Sequence, residues 1–153
     1  VTHILFDSKD ALIGRFNTGA HVDGGRYSDG GLDLDDIAVY GNDNTRQTSK
    51  GVFVHEAIEQ LEKEKRREDG HEVDDGGSIN YQITHELAKE KENTTTKFQR
   101  VRGPLGYVDD DKGNRSYFKY EIKSDETTGQ FKNIEYKQIN KEEYNTELKS
   151  QTE

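Results

Sequence analysis

Val54, Ala57, Ile58 and Leu61 recur at the i, i+3, i+4, i+7 spacing of one helix face. The spacing predicts a helix that Thr48 or Ser49 can cap and that runs to about Arg67. Beside the apolar stripe lies a second one of His55, Glu59 and Glu62. The stretch Glu62-Lys63-Glu64-Lys65-Arg66-Arg67-Glu68 is charged throughout and reads as a solvated helix end. A second helix is predicted from Ser78, a good N-cap, to about Asn93. Ile79, Ile83 and Leu87 fall on one of its sides, and Tyr81, His85, Ala88 and Glu92 on the other.

Period-two alternation marks the C-terminal part. In Ser116–Lys123, Phe118, Tyr120 and Ile122 alternate with Lys119, Glu121 and Lys123, as in a half-buried strand. Phe131–Ile139 reads as its hairpin partner, with turns at Asp109–Asn114 and Ser124–Gln130, although Phe131 is out of phase with Ile134 and Tyr136. Further strands are predicted at residues 2–6 and at Leu34–Tyr40, and a short helix over Ala11, Leu12, Ile13 and Phe16, capped by Asp7 or Ser8. Gly41–Thr48 and Glu68–Gly77 read as polar loops, and Thr94–Gly106, with the only proline at Pro104, as a connection. Residues 17–31, rich in Gly and Asp, suit hairpin turns; a calcium loop is the alternative, but no bidentate Glu has the required spacing. These elements predict an α+β fold: a small, mostly antiparallel sheet, two main helices and a C-terminal β-hairpin. Residues 1–140 form a single domain, and residues 141–153 a polar tail, either a frayed helix or disordered.

Composition narrows this picture. Only 29 % of the 153 residues are hydrophobic and 35 % are charged, with a mean hydropathy of -1.13. The core is therefore small, and a bound metal would help the chain fold. A formal net charge of -9 argues against nucleic-acid and anionic-membrane partners. No run is apolar and long enough to span a bilayer, and none has the form of a signal peptide. With no cysteine, disulfides and thiolate ligation are unavailable. The absence of methionine, even at position 1, suggests a piece of a larger protein.

The candidate chemistry sits in the two helices. His55-Glu56-x-x-Glu59 puts a histidine and a carboxylate at i and i+4, on one helix face, with Glu56 beside them. A catalytic zinc takes three protein ligands, and His55, Glu59 and His85 supply a His2Glu set. Glu56 would be the general base, accepting a proton from the zinc-bound water as it attacks a carbonyl. Glu92 is the substitute ligand. Arg100, Arg102, Arg115 and Tyr117 are candidates for stabilising an oxyanion, or else surface residues. His3, His21 and His71 read as surface histidines, and Asp109-Asp110-Asp111-Lys112-Gly113 as a turn. In the alternative reading, the His-Glu stripes only bond helix to helix or hold a structural metal.

The order of parts resembles a known family. A Gly-rich segment and a strand precede Val54-His55-Glu56. A helix reading His85-x-x-Ala88-x-x-x-Glu92-Asn93 follows, then Arg100, Arg102 and Gly103-Pro104-Leu105. Over roughly residues 20–107 this resembles the zincin-like metallopeptidase domains at the variable C-terminal ends of Rhs/YD-repeat polymorphic toxins and related bacterial effectors. It departs from H-E-x-x-H in having Glu59 at the second ligand position. The resemblance implies His55 as a ligand, Glu56 as the base and His85 or Glu92 as the ligand from the second helix. It also implies zinc as the metal, a protein or peptide substrate, and secretion or delivery from a larger bacterial protein, with a cognate inhibitor or that parent protein as partner. The function expected is zinc-dependent peptide-bond hydrolysis by a toxin or effector domain. The alternatives are an inactive zincin-like or binding module and, further off, a toxin nuclease using His and Glu.

Overall fold

The computed structural model describes residues 5–8, 11–12, 31–70, 79–127 and 130–151. The order of elements is β1 (Leu5–Ser8), β2 (Ala11–Leu12), β3 (Gly31–Asp33), α1 (Leu34–Val39), α2 (Ser49–Glu68), α3 (Ile79–Thr94), β4 (Gln99–Arg102), β5 (Leu105–Asp109), β6 (Arg115–Ser124), β7 (Phe131–Ile139) and α4 (Lys141–Ser150). The fold is α+β. Its main sheet is an antiparallel meander, β4-β5-β6-β7, and β1 pairs antiparallel with β2 and parallel with β3 in a smaller sheet. The glycine- and aspartate-rich residues 17–30, His3, His21, His71 and Ser78 lie outside the described residues.

Both main helices form where the apolar spacing places them. Thr48 caps α2, its Oγ1 accepting from the Gly51 amide at 3.0 Å. Their buried faces differ from the expectation. On α2 the buried positions among the described residues are Gly51, Val52, His55 and Glu59, while Leu61 is exposed and Val54, Ala57 and Ile58 are only half-buried. On α3, Thr84, Ala88, Lys89 and Glu92 are buried, whereas Ile79 and Ile83 are exposed. The polar stripes turn inward because their groups bond to one another across the interface, which removes most of the cost of drying them.

Three further expectations are corrected. Leu34–Tyr40 is not a strand: residues Leu34–Val39 form α1, with Asp35 and Asp36 in the first turn, where acidic groups favour a helix. Asp36 also binds the Phe131 amide at 2.8 Å, tying α1 to β7. Ala11 and Leu12 pair with β1 rather than starting a helix; residues 13–16 lie outside the described set. Thr94–Gly106 holds two strands, β4 and the start of β5. Gly103-Pro104 is their turn: Gly103 takes a φ of 52°, and proline fixes the next residue. Glycine and proline marked the turn, and the short strands beside it carry too little alternation to show.

The predicted hairpin of β6 and β7 is present, and a β-bulge resolves its phase. The register shifts between Lys123 and Ser124, so Phe131 pairs with Ser124 while Ile134 pairs with Ile122. The extra residue in β7 returns Phe131 to the face of Ile134 and Tyr136. That face meets Phe98, fully buried, whose ring lies edge-on to Phe118, Tyr120 and Tyr136 at centroid distances of 6.5, 6.4 and 5.9 Å. The other face is covered at one end by α4. Asn140 caps α4 by accepting from the Glu143 amide at 2.8 Å. Tyr144 and Leu148 pack with Leu105, Ile139, Val101 and Tyr117. The chain after 140 is thus helical through Ser150, and its two apolar residues, four apart, supply the face that so polar a segment did not show.

Gly106 lies under Phe98. A Cβ there would collide with the Phe98 ring and come within 2.7 Å of the Gln99 carbonyl oxygen. Gly106→Ala should therefore lower stability by about 1–3 kcal/mol through overpacking, read as an earlier urea midpoint at unchanged slope. An unchanged midpoint would show that Phe98 is free to move aside.

Candidate metal centre

Helix α2 presents His55 and Glu59 one turn apart on its buried side, and α3 crosses with His85 facing them. The His55 Nε2 lies 3.0 Å from Glu59 Oε2, and His85 Nδ1 lies 3.2 Å from the same oxygen. The two imidazoles meet edge-on, centroids 4.9 Å apart. One ligand atom from each of the three residues falls within 4.8 Å of the others, so this group could hold a metal ion. The donor set is chemically suitable, since two imidazoles and a carboxylate are ordinary ligands of a divalent transition metal. Bonds of about 2.1 Å in a tetrahedron separate ligand atoms by roughly 3.4 Å, close to the two distances from Glu59 Oε2 to the histidine nitrogens.

A second carboxylate approaches from the other side of His55. Glu92 Oε1 lies 2.9 Å from His55 Nδ1. Arg100, on β4, donates to Glu92 through Nε at 2.8 Å and through Nη2 at 3.3 Å, and its Nη1 donates to the Gly103 carbonyl at 3.3 Å. The exposure of Glu59 and of Glu92 is 2 % each, so these are interior charges. Burial pulls the His55 imidazole down, but its hydrogen bonds to Glu59 and Glu92 outweigh this and lift it from 6.5 to about 10. Burial likewise pushes the Glu92 carboxyl up, while Arg100 and His55 prevail and hold it at about 2. Without a metal, the cluster is an alternation of buried carboxylates and cations.

Beside this cluster opens a cavity of about 240 Å³. Tyr40, Val52, His55, Glu56, His85 and Tyr120 line it, with Gln47, Glu92 and Arg100. Burial raises the Tyr40 phenol well above its ordinary value, with Tyr120 and Tyr136 adding to the effect.

The structure thus brings together His55, Glu56, Glu59, His85, Glu92 and Arg100 among the residues singled out from sequence. It does not bring in Arg102, which is exposed, or Arg115, whose Nε bonds Asp109 at 2.7 Å. Tyr117 points to the other face of the sheet from its neighbour Phe118 and stacks on Tyr144 at 4.5 Å. Sequence reasoning missed Tyr40, Gln47, Val52 and Tyr120 as cavity walls. Tyr120 had a signal, its place on the apolar face of β6; Tyr40 and Gln47 had none, because a loop path brings them there.

Two outcomes follow from the buried charges. Arg100→Ala leaves Glu92 without its strongest partner and should cost about 3–5 kcal/mol in chemical denaturation; the Arg100→Ala/Glu92→Ala pair should cost less than the two single changes summed. The pH dependence has a defined shape. The raised His55 contributes stability fully below 6.5 and loses it as pH climbs toward about 10; the lowered Glu92 contributes fully above 4.5 and loses it as pH falls toward about 2. The metal-free protein should therefore have its highest urea midpoint between pH 4.5 and 6.5. A midpoint that keeps rising from about pH 7 to about pH 9 would contradict the charged His55.

The chain matches no family model, no curated protein and no solved structure.

Proposed function

We propose that the protein is a zinc-dependent hydrolase of peptide bonds, with His55, Glu59 and His85 as the metal ligands. The observation that carries the reading is the convergence of these three side chains from two helices, with His55 and His85 lining a cavity that Glu56 also lines. Zinc bound there would supply Lewis acidity, lowering the pKa of a water and polarising a carbonyl. Glu56 extends from the residue next to His55 and is the carboxylate placed to accept a proton from that water and pass it to the leaving amine. Tyr40 and Tyr120 supply phenols on the same wall, and the protonated Tyr40 hydroxyl is a donor for a carbonyl oxygen. Arg100 is a weaker choice for that role, because its guanidinium is engaged by Glu92 and the Gly103 carbonyl. The sequence resemblance over residues 20–107 supports a delivered effector domain acting on a protein or peptide.

A second reading has its own support. His55, Glu59, Glu92 and Arg100 compensate one another's charge without any ion, as they would in a binding module whose polar stripes only join α2 to α3.

Metal content separates the two. Elemental analysis after zinc loading should find about one zinc per chain, lost in His55→Ala and in Glu59→Ala. Glu56→Gln should keep the metal and lose at least roughly 100-fold in turnover of a peptide library. A wild-type chain that takes up no metal would sink the hydrolase and leave the module. Metal uptake with no cleavage of any peptide would leave a metal-holding module.

A further inference from the structure

The two nitrogens of the His55 ring point in opposite directions, and each has its own carboxylate. Nε2 faces Glu59 and, through it, His85; Nδ1 faces Glu92 at 2.9 Å, with the Arg100 Nη2 that Glu92 engages farther off at 3.4 Å. The three-residue group that could take an ion lies on the Nε2 side, and Glu92 is not in it. We infer that Glu92, oriented by Arg100, is a positioning residue for the metal and not one of its ligands: it accepts a hydrogen bond from His55 Nδ1–H, holding the proton on that nitrogen and so leaving the Nε2 lone pair for the ion. This role for Glu92 rests on the metal-centre reading.

The chemistry requires such a group. A histidine ligates through a nitrogen that has lost its proton, and a neutral imidazole keeps its proton on the other one. Glu59 alone would draw that proton to Nε2, 3.0 Å away, and block the ligand atom. A carboxylate at Nδ1 reverses the preference, fixes the ring and raises its basicity.

Glu92 can do this because it is held from several sides. The Arg100 fork binds both of its oxygens. Arg100 is itself fastened at its backbone by the residue after Glu92: Asn93 Nδ2 donates to the Arg100 carbonyl at 2.9 Å, and the Arg100 amide donates to Asn93 Oδ1 at 3.0 Å. One turn earlier on α3, Lys89 Nζ donates to the Val101 carbonyl at 2.8 Å. The outer edge of β4 is thereby latched along α3, and the planar guanidinium meets the carboxylate in a fixed plane. Lysine offers no such fork, so Arg100→Lys is not a conservative change here.

The test uses the wild-type chain, Glu92→Gln and Arg100→Lys, titrated with zinc against a chromophoric chelator and with cobalt(II) for its visible spectrum. Circular dichroism of the metal-free forms checks that each is folded. Nitrogen-15 NMR of the zinc-loaded wild type reads the tautomer of His55 directly. All three chains should bind one metal each, with affinity lower by about 10–100-fold in both variants. The cobalt bands should show an unchanged coordination number, and the proton of His55 should sit on Nδ1. Four results would overturn the inference. Equal affinities in wild type and Glu92→Gln would deny the positioning role while leaving the metal centre standing. A cobalt spectrum showing one protein ligand fewer in Glu92→Gln would make Glu92 a ligand. A proton on Nε2 in the zinc-loaded wild type would refute the positioning role without any variant, should the variants fail to fold. A wild-type chain that binds neither metal removes the centre and the inference together.

Discussion

Charge burial at the crossing of α2 and α3 is the constraint around which the rest of the structure is arranged. His55, Glu59, Glu92 and Arg100 all lie in the interior, and any one of them alone would be too costly to dry. Their alternation of sign makes the interface tolerable. It also ties the two helices together, through His85 and Glu92 of α3 on Glu59 and His55 of α2. The helices are consequently joined through their polar sides, and several of their larger aliphatic residues are left toward solvent.

The sheet serves that interface. Strand β4 delivers Arg100, and the Gly103 carbonyl in the adjoining turn takes up one of its donors. Asn93 and Lys89 hold the strand's outer edge, so α3 and β4 act as one unit. Behind them, Phe98 fills the space over Gly106 and packs edge-on against three aromatic rings of β6 and β7. A chain with so few apolar residues concentrates its core in aromatics, which bury the most area per residue. Tyr40, Tyr120 and Tyr136 belong to this layer as well, and two of them, Tyr40 and Tyr120, also face the cavity.

The arrangement gives the cavity two chemically distinct walls. One carries the imidazoles of His55 and His85, which belong to the group that could hold an ion, and the carboxylates of Glu56 and Glu92. The other carries the phenols of Tyr40 and Tyr120. His55, Glu59, Glu92 and Arg100 compensate one another's charge in the absence of an ion.

Features that depend on local spacing were legible in the residues alone. Periodicity placed α2 and α3 and the hairpin of β6 and β7, and it paired His55 with Glu59, because i and i+4 share a helix face wherever the helix lies. His85, Glu92 and Arg100 also stood out as residues of interest. Which side of each helix faces inward was settled by packing in three dimensions. Hydropathy pointed Ile79 and Ile83 toward the core, yet Thr84, Ala88 and Glu92 are there instead, since a polar group's cost depends on partners far away along the chain. The same dependence decided that Leu34–Val39 coils into α1, where Asp36 finds the Phe131 amide 95 residues on. And it gave Glu92 and Arg100 their joint place behind His55, because the direction in which a side chain meets its neighbours is set by how the elements pack, which no spacing along the chain records.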